Sequence, residues 1–400
     1  MTRAEPHPLK ILEIETFGRG GLTHYTYNLS QALADRGHQV TMATAACYEL
    51  EGDAVGNVEI VKTIGRASHR QSSGERTLPG PVASLLRKGE AIYDSLAVAA
   101  LARRLRPDVI HLHCTNPIAL AYLAALSRLR RPLVATAHVV TPHEPIPWQR
   151  AVYRRIHGLG DRVIAHSQFD RQRLLEEFGV DAGRVEVIPH GEYGFFERAL
   201  DTTVDRAAAR RRLGLQPGDE VALFFGYIRE YKGLDILFDA WPRVAAARPS
   251  ARLVVAGDPV RLGAERRDEL ERWADRLGAV HRFGYIPFSE VAQYFAAADL
   301  LVMPYRHISQ SGVLYLALSL GVPVVATRVG ALPEMLQDED SALLVPPESP
   351  GELASALTRA LGDPELRQHL AEGGREIATA HSWPSIAEQT ERLFLGIVES

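Results

Sequence analysis

Short runs of β-branched and aliphatic residues alternate with longer amphipathic stretches along the whole chain. The runs Leu9–Ile14, Gln39–Ala43, Val58–Ile64, Asp108–His113, Leu133–His138, Arg162–His166 and Val185–Pro189 predict strands in the first half. Val221–Phe225, Arg252–Ala256, Val280–Phe283, Leu300–Pro304, Val322–Thr327 and Ala342–Val345 predict them in the second. Most are continuously apolar, as parallel strands covered on both faces are. Between them lie helical segments such as Thr23–Asp35, Val82–Leu105 and Gly233–Ala247. Strand, crossover helix, strand repeats throughout, which predicts an α/β protein with doubly wound, Rossmann-like parallel sheets.

The rhythm breaks once. Glu192–Asp219 holds Gly194, an Arg/Ala-rich helical stretch (Arg206–Leu213) and the turn Gln216-Pro217-Gly218-Asp219, which reads as an inter-domain connection. The expected domains are 1–195 and 220–380, joined by a linker over 196–219, with a terminal segment over 381–400. Two such domains facing each other would place a ligand cleft at the carboxyl ends of both sheets.

Composition narrows the function. Hydrophobic residues at 46% and charged residues at 24% exclude a disordered or collagen-like chain. A net charge of −4 provides no overall basic footprint for nucleic acid, and none is expected as a partner. The halves differ, however: 24 Lys and Arg against 21 Asp and Glu in residues 1–200, 21 against 28 in 201–400. Cys47 and Cys114 are the two cysteines, which fits a reducing, cytoplasmic setting. Neither a leader peptide nor a membrane span is expected.

Three loops could carry chemistry. Phe17-Gly18-Arg19-Gly20-Gly21-Leu22 follows the first strand and precedes a helix; it is a tight turn or a close approach of backbone to ligand. Gly226-Tyr227-Ile228-Arg229-Glu230-Tyr231-Lys232-Gly233 occupies the same place in the second half, where Arg229 and Lys232 could converge on a diphosphate. His307-Ile308-Ser309-Gln310-Ser311-Gly312-Val313 precedes an apolar helix whose N-terminus would seat an anion. His111 and His113 alternate on one strand and His138 closes the next, with His143 beyond it. His-x-His on a strand with no accompanying carboxylate or cysteine predicts no metal site.

Taken in order, these segments resemble the retaining glycosyltransferases of family four. The matching stretches include Thr136–His138, Val187-Ile188-Pro189-His190-Gly191, Val254-Val255-Ala256-Gly257-Asp258, Gly330–Glu334 and the helix after Ser382-Trp383. The resemblance implies a GT-B fold: an acceptor-binding domain, a nucleotide-sugar-binding domain and a last helix crossing back to the first. It implies transfer of a sugar from a nucleotide diphosphate sugar to an acceptor hydroxyl, metal-independent and with retained configuration. Surface polysaccharide, glycolipid or glycoconjugate synthesis would be the setting. Arg229 and Lys232 match the diphosphate-binding pair, and His138 a histidine facing the transferred sugar. Gly20, Gly21, Tyr285, Ile286, Gln310, Ser311, Gly312, Val313 and Glu334 complete the implied donor site.

His24, Arg70 and Arg76 are the implied acceptor contacts. The basic stretch Arg66–Lys88 is either a solvated loop or a contact to an anionic acceptor or a lipid headgroup at the inner membrane face. The family's two glutamates, eight positions apart, are replaced here by Ile308 and Leu316, which cannot accept hydroxyl hydrogen bonds. A GT-B nucleotide-sugar epimerase or an inactive assembly subunit are the alternative readings.

Overall fold

The structure, a computed structural model, describes residues 7–50, 57–65, 80–114, 117–140, 149–192, 205–260 and 262–399. The chain divides into two compact units, Met1–Gly191 with Ser382–Ser400, and Glu192–His381.

The first unit runs β1 (Lys10–Ile14), α1 (Gly21–Asp35), β2 (Gln39–Ala45), β3 (Val58–Ile64), α2 (Gly80–Leu105), β4 (Val109–Cys114), α3 (Ala119–Leu126), β5 (Leu133–Ala137), α4 (Gln149–Leu159), β6 (Arg162–Ala165), α5 (Gln168–Phe178) and β7 (Val185–Val187). Its strands form one parallel sheet in the order β3-β2-β1-β4-β5-β6-β7. The second unit runs α6 (Arg206–Arg212), β8 (Glu220–Phe225), α7 (Leu234–Ala247), β9 (Ala251–Gly257), α8 (Ala264–Arg276), β10 (Val280–Phe283), α9 (Phe288–Ala297), β11 (Leu300–Met303), α10 (Gly312–Ser319), β12 (Val324–Thr327), α11 (Leu332–Met335), β13 (Leu343–Val345), α12 (Pro350–Gly362) and α13 (Pro364–Ala380). Its sheet has the order β10-β9-β8-β11-β12-β13. The last helix, α14 (Trp383–Val398), belongs to the first unit.

Both sheets are doubly wound, as expected. Each buries apolar side chains on both faces: Leu12, Ile14 and Leu112 under α2 and α3, and Ile11, Val109 and Val134 under α1 and α14. In the second unit Leu223, Leu301 and Val324 pack on one side, Phe224, Val255 and Val325 on the other. The order reverses at β1/β4 and at β8/β11, so loops leaving those neighbouring strands splay apart and open a crevice at the carboxyl edge of each sheet.

The expected connection over 196–219 is described from Asp205 onward. In its described part, Arg210 is buried and donates to the carbonyls of Ala297 (3.1 Å) and Pro217 (2.7 Å) and to Asp299 (2.8 Å). The helix α6 is thereby built into the second unit, because a buried guanidinium needs several fixed acceptors. His138 and His166, expected to close strands, lie one residue beyond β5 and β6. No helix among the described residues is long and apolar enough to cross a membrane. Arg70, Arg76 and His143 lie outside the described residues, as does most of the basic stretch that begins at Arg66.

Candidate active site

In the second unit, every described donor-site candidate of that half lies in a loop, or at a helix start, just after the carboxyl end of a strand. Arg229 and Lys232 follow β8, Tyr285 and Ile286 follow β10, Gln310–Val313 follow β11, and Glu334 follows β12. Glycines let these loops touch. A Cβ on Gly257 would meet the Gly226 carbonyl oxygen at 1.8 Å, and one on Gly330 would meet the Ile308 carbonyl oxygen at 1.6 Å. Gly226, at φ 94°, is walled by Lys232 Nζ on one side and by Val313 of α10 on the other, each 3.0 Å from where its Cβ would lie. The second and third loops therefore meet at Gly226.

Lys232 stands apart from the other candidates in its burial. It is 6% exposed, and among the described residues no carboxylate pairs with it. The charge that acts on it is that of Arg229, and its Nζ lies 5.4 Å from the centre of the Tyr305 ring. Burial and Arg229 together push the ammonium down to about 7. A buried cation with no internal anion costs several kcal/mol, and an anionic ligand would offset that cost. The N-terminus of α10 adds to the same field: Ser311 caps it, accepting from the Leu314 N–H at 3.4 Å, and the helix dipole favours negative charge there. Gln310 Oε1 is buried without a hydrogen-bond partner. Ile286 is buried, while Tyr285 and Glu334 are exposed. Ile308 and Leu316 are buried in the core, so both point away from any carboxylate role.

The first unit presents the glycine turn. Gly20, at φ 75°, is the residue before α1. Glu15 accepts from the N–H of Gly18 (2.9 Å), from the N–H of Phe17 and from Thr44 Oγ1 (2.8 Å), holding the turn in place. Glu49 accepts from the Gly20 N–H and lies 3.1 Å from His24 Nε2. His24 is thus buried on α1 with one ring nitrogen committed to Glu49.

His138 sits at the end of β5, but its ring faces inward. Its Nε2 is 3.2 Å from His113 Nδ1 and its Nδ1 is 3.1 Å from His166 Nε2. Burial and the neighbouring imidazoles hold it well below the usual histidine range. The expectation that His111 and His113 lack a carboxylate is overturned: β1 pairs with β4 so that Glu13 lies opposite His111. The ligand-capable atoms of Glu13, His111 and His113 fall within 4.8 Å of one another. Sequence reading missed Glu13, Glu15, Glu49 and His166. The available signal was two glutamates in or next to the apolar run of β1, where a charge must find buried partners.

Comparison with known proteins gives this geometry a family. Residues 19–191 match Glycosyltransferase Family 4 and residues 219–363 match glycosyl transferases group 1. The chain is 31% identical over 393 residues to a D-inositol 3-phosphate glycosyltransferase of Segniliparus rotundus, covering 92% of this chain and 83% of that protein. It is 30% identical over 388 residues to that of Geodermatophilus obscurus, covering 91% and 82%. Among solved structures, Anabaena Alr3699/HepE in complex with UDP-glucose superposes with a TM-score of 0.76 at 22% identity, covering 97% of this chain and 100% of that one. Sucrose-phosphate synthase from Thermosynechococcus elongatus superposes with a TM-score of 0.74 at 24% identity, covering 97% and 99%. The chain belongs to the family-four, group-one glycosyltransferases and has their GT-B fold.

Proposed function

We propose that the protein moves a sugar from a nucleotide diphosphate sugar to an acceptor hydroxyl, without a metal ion and with retained anomeric configuration. The observation that carries this reading is Lys232, a buried ammonium with no carboxylate among the described residues, set beside Arg229 and the start of α10. Breaking the glycosyl–phosphate bond places negative charge on the diphosphate, and these groups stabilise it. Removing one such preorganised donor typically costs about 10²–10³ in rate. In this reading Tyr285 and Ile286 hold the base, and Gln310 and Glu334 offer polar groups to the sugar and ribose. With Ile308 apolar and buried, a glycosyl–enzyme at that position is excluded. Retention then follows from attack on the face the diphosphate leaves, its oxygen taking the acceptor proton.

The acceptor belongs to the chemistry of polyols, glycans or glycolipids. The relatives named above make inositol 3-phosphate the first acceptor to try, and His24, next to the donor-site turn Gly20–Gly21, is the acceptor-side residue among those described. The test is turnover with a panel of nucleotide sugars. One donor should be consumed by the wild type, with consumption lost in Arg229→Ala and Lys232→Ala. No turnover of any donor would favour an inactive assembly subunit, and a change of sugar configuration without acceptor would favour an epimerase.

A further inference from the structure

The loop that carries Lys232 ends in a single turn of 3-10 helix, Glu230–Lys232, closed by Gly233 at φ 65°. One residue from outside the loop grips its backbone. The Arg306 N–H donates to the Tyr231 carbonyl at 2.7 Å, and Arg306 Nη1 donates to the Glu230 carbonyl at 2.7 Å. The same guanidinium forks onto Asp235, Nη1 to Oδ1 and Nη2 to Oδ2, each at 2.9 Å. Asp235 lies in the first turn of α7, directly after the loop. The remaining nitrogen, Nε, is 2.6 Å from Glu348. Holding a carbonyl and two carboxylates at once takes a planar group with several donors in a fixed fork, which arginine has and lysine lacks.

The order of residues after β11 gives Arg306 this place. A Cβ on Gly233 would meet the Pro304 carbonyl oxygen at 2.1 Å, so the segment leaving β11 lies directly against the loop. Thr327 Oγ1 donates to the Tyr305 carbonyl at 2.5 Å and ties the segment to β12. Tyr305 is buried, and its ring centre is 5.4 Å from Lys232 Nζ. Arg306, the next residue, holds the backbone of residues 230 and 231. One short segment thus supplies a neighbour for the cation and a clamp for the turn that bears it. It continues through His307, whose ring centre is 5.4 Å from that of Tyr231, to Ser311 at the start of α10.

The pair is half-buried rather than free in water, with Arg306 27% and Asp235 22% exposed. Burial raises the Asp235 carboxyl, and Arg306 with Arg266 pulls it below the ordinary range. Arg266 of α8 braces the clamp from its rim, Nε 3.1 Å from Glu230 and Nη2 3.4 Å from Asp235. Isolated exposed pairs contribute little, whereas a bidentate fork within a network fixes geometry.

We propose that Arg306, locked by Asp235, is a positioning residue that holds the turn bearing Lys232 in place for a diphosphate. It acts through Lys232 and touches no reacting atom. Its effect on turnover rests on the donor site proposed above; its effect on Lys232 rests on the loop alone. A lysine at 306 keeps the charge and loses the fork, so charge by itself does not restore the clamp.

The test has two arms. With the donor that the wild type consumes, Arg306→Gln, Arg306→Lys and Asp235→Asn should each lower kcat/KM by about tenfold. Added to Lys232→Ala, Arg306→Gln should cost no more than about a further twofold, because the group it positions is already gone. A full tenfold loss in the double variant, or wild-type activity in Arg306→Lys, overturns the proposal. The second arm needs no donor. The chain has four lysines, Lys10, Lys62, Lys88 and Lys232, so ¹³Cε spectra can follow each one, with Lys232→Met assigning the signal. Lys232 should titrate at about 7 in the wild type and move toward 10.5 in Arg306→Gln and Asp235→Asn as the turn opens to water. An unmoved midpoint in the folded variants, or a wild-type midpoint already at 10.5, overturns the clamp. Should Arg306→Gln unfold, Arg306→Lys carries both comparisons. If no donor turns over, the transferase reading fails, and the lysine titration still decides the clamp.

Discussion

At the residue scale, Lys232 ties function to stability through one proton. Its folded value of about 7 lies below the ordinary 10.5, so between these pH values the unfolded chain keeps a proton that the folded chain has lost. Stability therefore rises with pH across that window, and the cost of the buried ammonium is present in full below pH 7. Lys232→Met should raise Tm at pH 6, with a gain that shrinks toward pH 10, while donor binding is lost; thermal unfolding at several pH values checks both. Donor binding by the wild type near pH 8 should take up protons, measurable by calorimetry in buffers of different ionisation enthalpy.

Gly226 is the companion case. A methyl there would sit 3.0 Å from Lys232 Nζ on backbone at φ 94°, a conformation that disfavours any side chain. Gly226→Ala should weaken donor binding by about tenfold or more, with KM rather than folding as the main casualty. Equal donor KM in this variant would show that the lysine is not held by that contact.

At the element scale, Trp383 and Glu391 help tie the helix α14 to its unit. Its Trp383 ring lies against Gly191, where a Cβ would meet ring carbons at 2.5–2.6 Å. Its Glu391 accepts from Arg36 and from His38 Nε2 (2.8 Å), and His38 Nδ1 in turn accepts from the Leu9 N–H (3.1 Å). That last bond fixes His38 as a donor to Glu391 without needing a positive charge. Gly191→Ala should lower stability by about 1–3 kcal/mol, because a rigid ring cannot yield to an added methyl. Burial raises the Glu391 carboxyl, and Arg36 and His38 pull it below the ordinary range. Its contribution is then present above the unfolded carboxylate value and lost as pH falls through the lower folded one, so Glu391→Gln should flatten the acid side of the stability profile.

Elements were the most legible part of the sequence. The thirteen strands of the described residues fall where apolar runs predict them, because strands covered on both faces need no polar residues and the crossover helices separate them cleanly. That Arg229, Lys232 and the start of α10 follow the carboxyl ends of β8 and β11 was legible too, since a doubly wound sheet sends every such loop to one edge. The contacts joining Glu13, His113, His138 and His166 were not. Glu13 and His113 lie in two strands, and His138 and His166 just beyond two others; the lateral order of these strands arises only on folding, and spacing along the chain does not reveal that β1 lies beside β4. Glu13 inside an apolar strand was the trace of it.

At the scale of the whole molecule, the charge asymmetry acquires a meaning. The half that carries Arg229 and Lys232 has the acidic excess, 28 acidic against 21 basic residues, so the proposed donor site relies on a few placed groups rather than on a broad field. Buried charges are screened much less by salt than exposed ones. The donor KM should accordingly change by less than about threefold between 50 and 300 mM salt, and a steep dependence would point to surface attraction instead.

The central claim, that Lys232 is built to receive a nucleotide diphosphate, is tested most directly by thermal unfolding of the wild type and Lys232→Met across a panel of nucleotide sugars. A ligand at 100 times its Kd stabilises by about 2.7 kcal/mol, enough for a clear rise in Tm. One donor class should raise the Tm of the wild type and leave that of Lys232→Met unchanged. Equal shifts in both proteins, or no shift with any nucleotide sugar, would contradict the account.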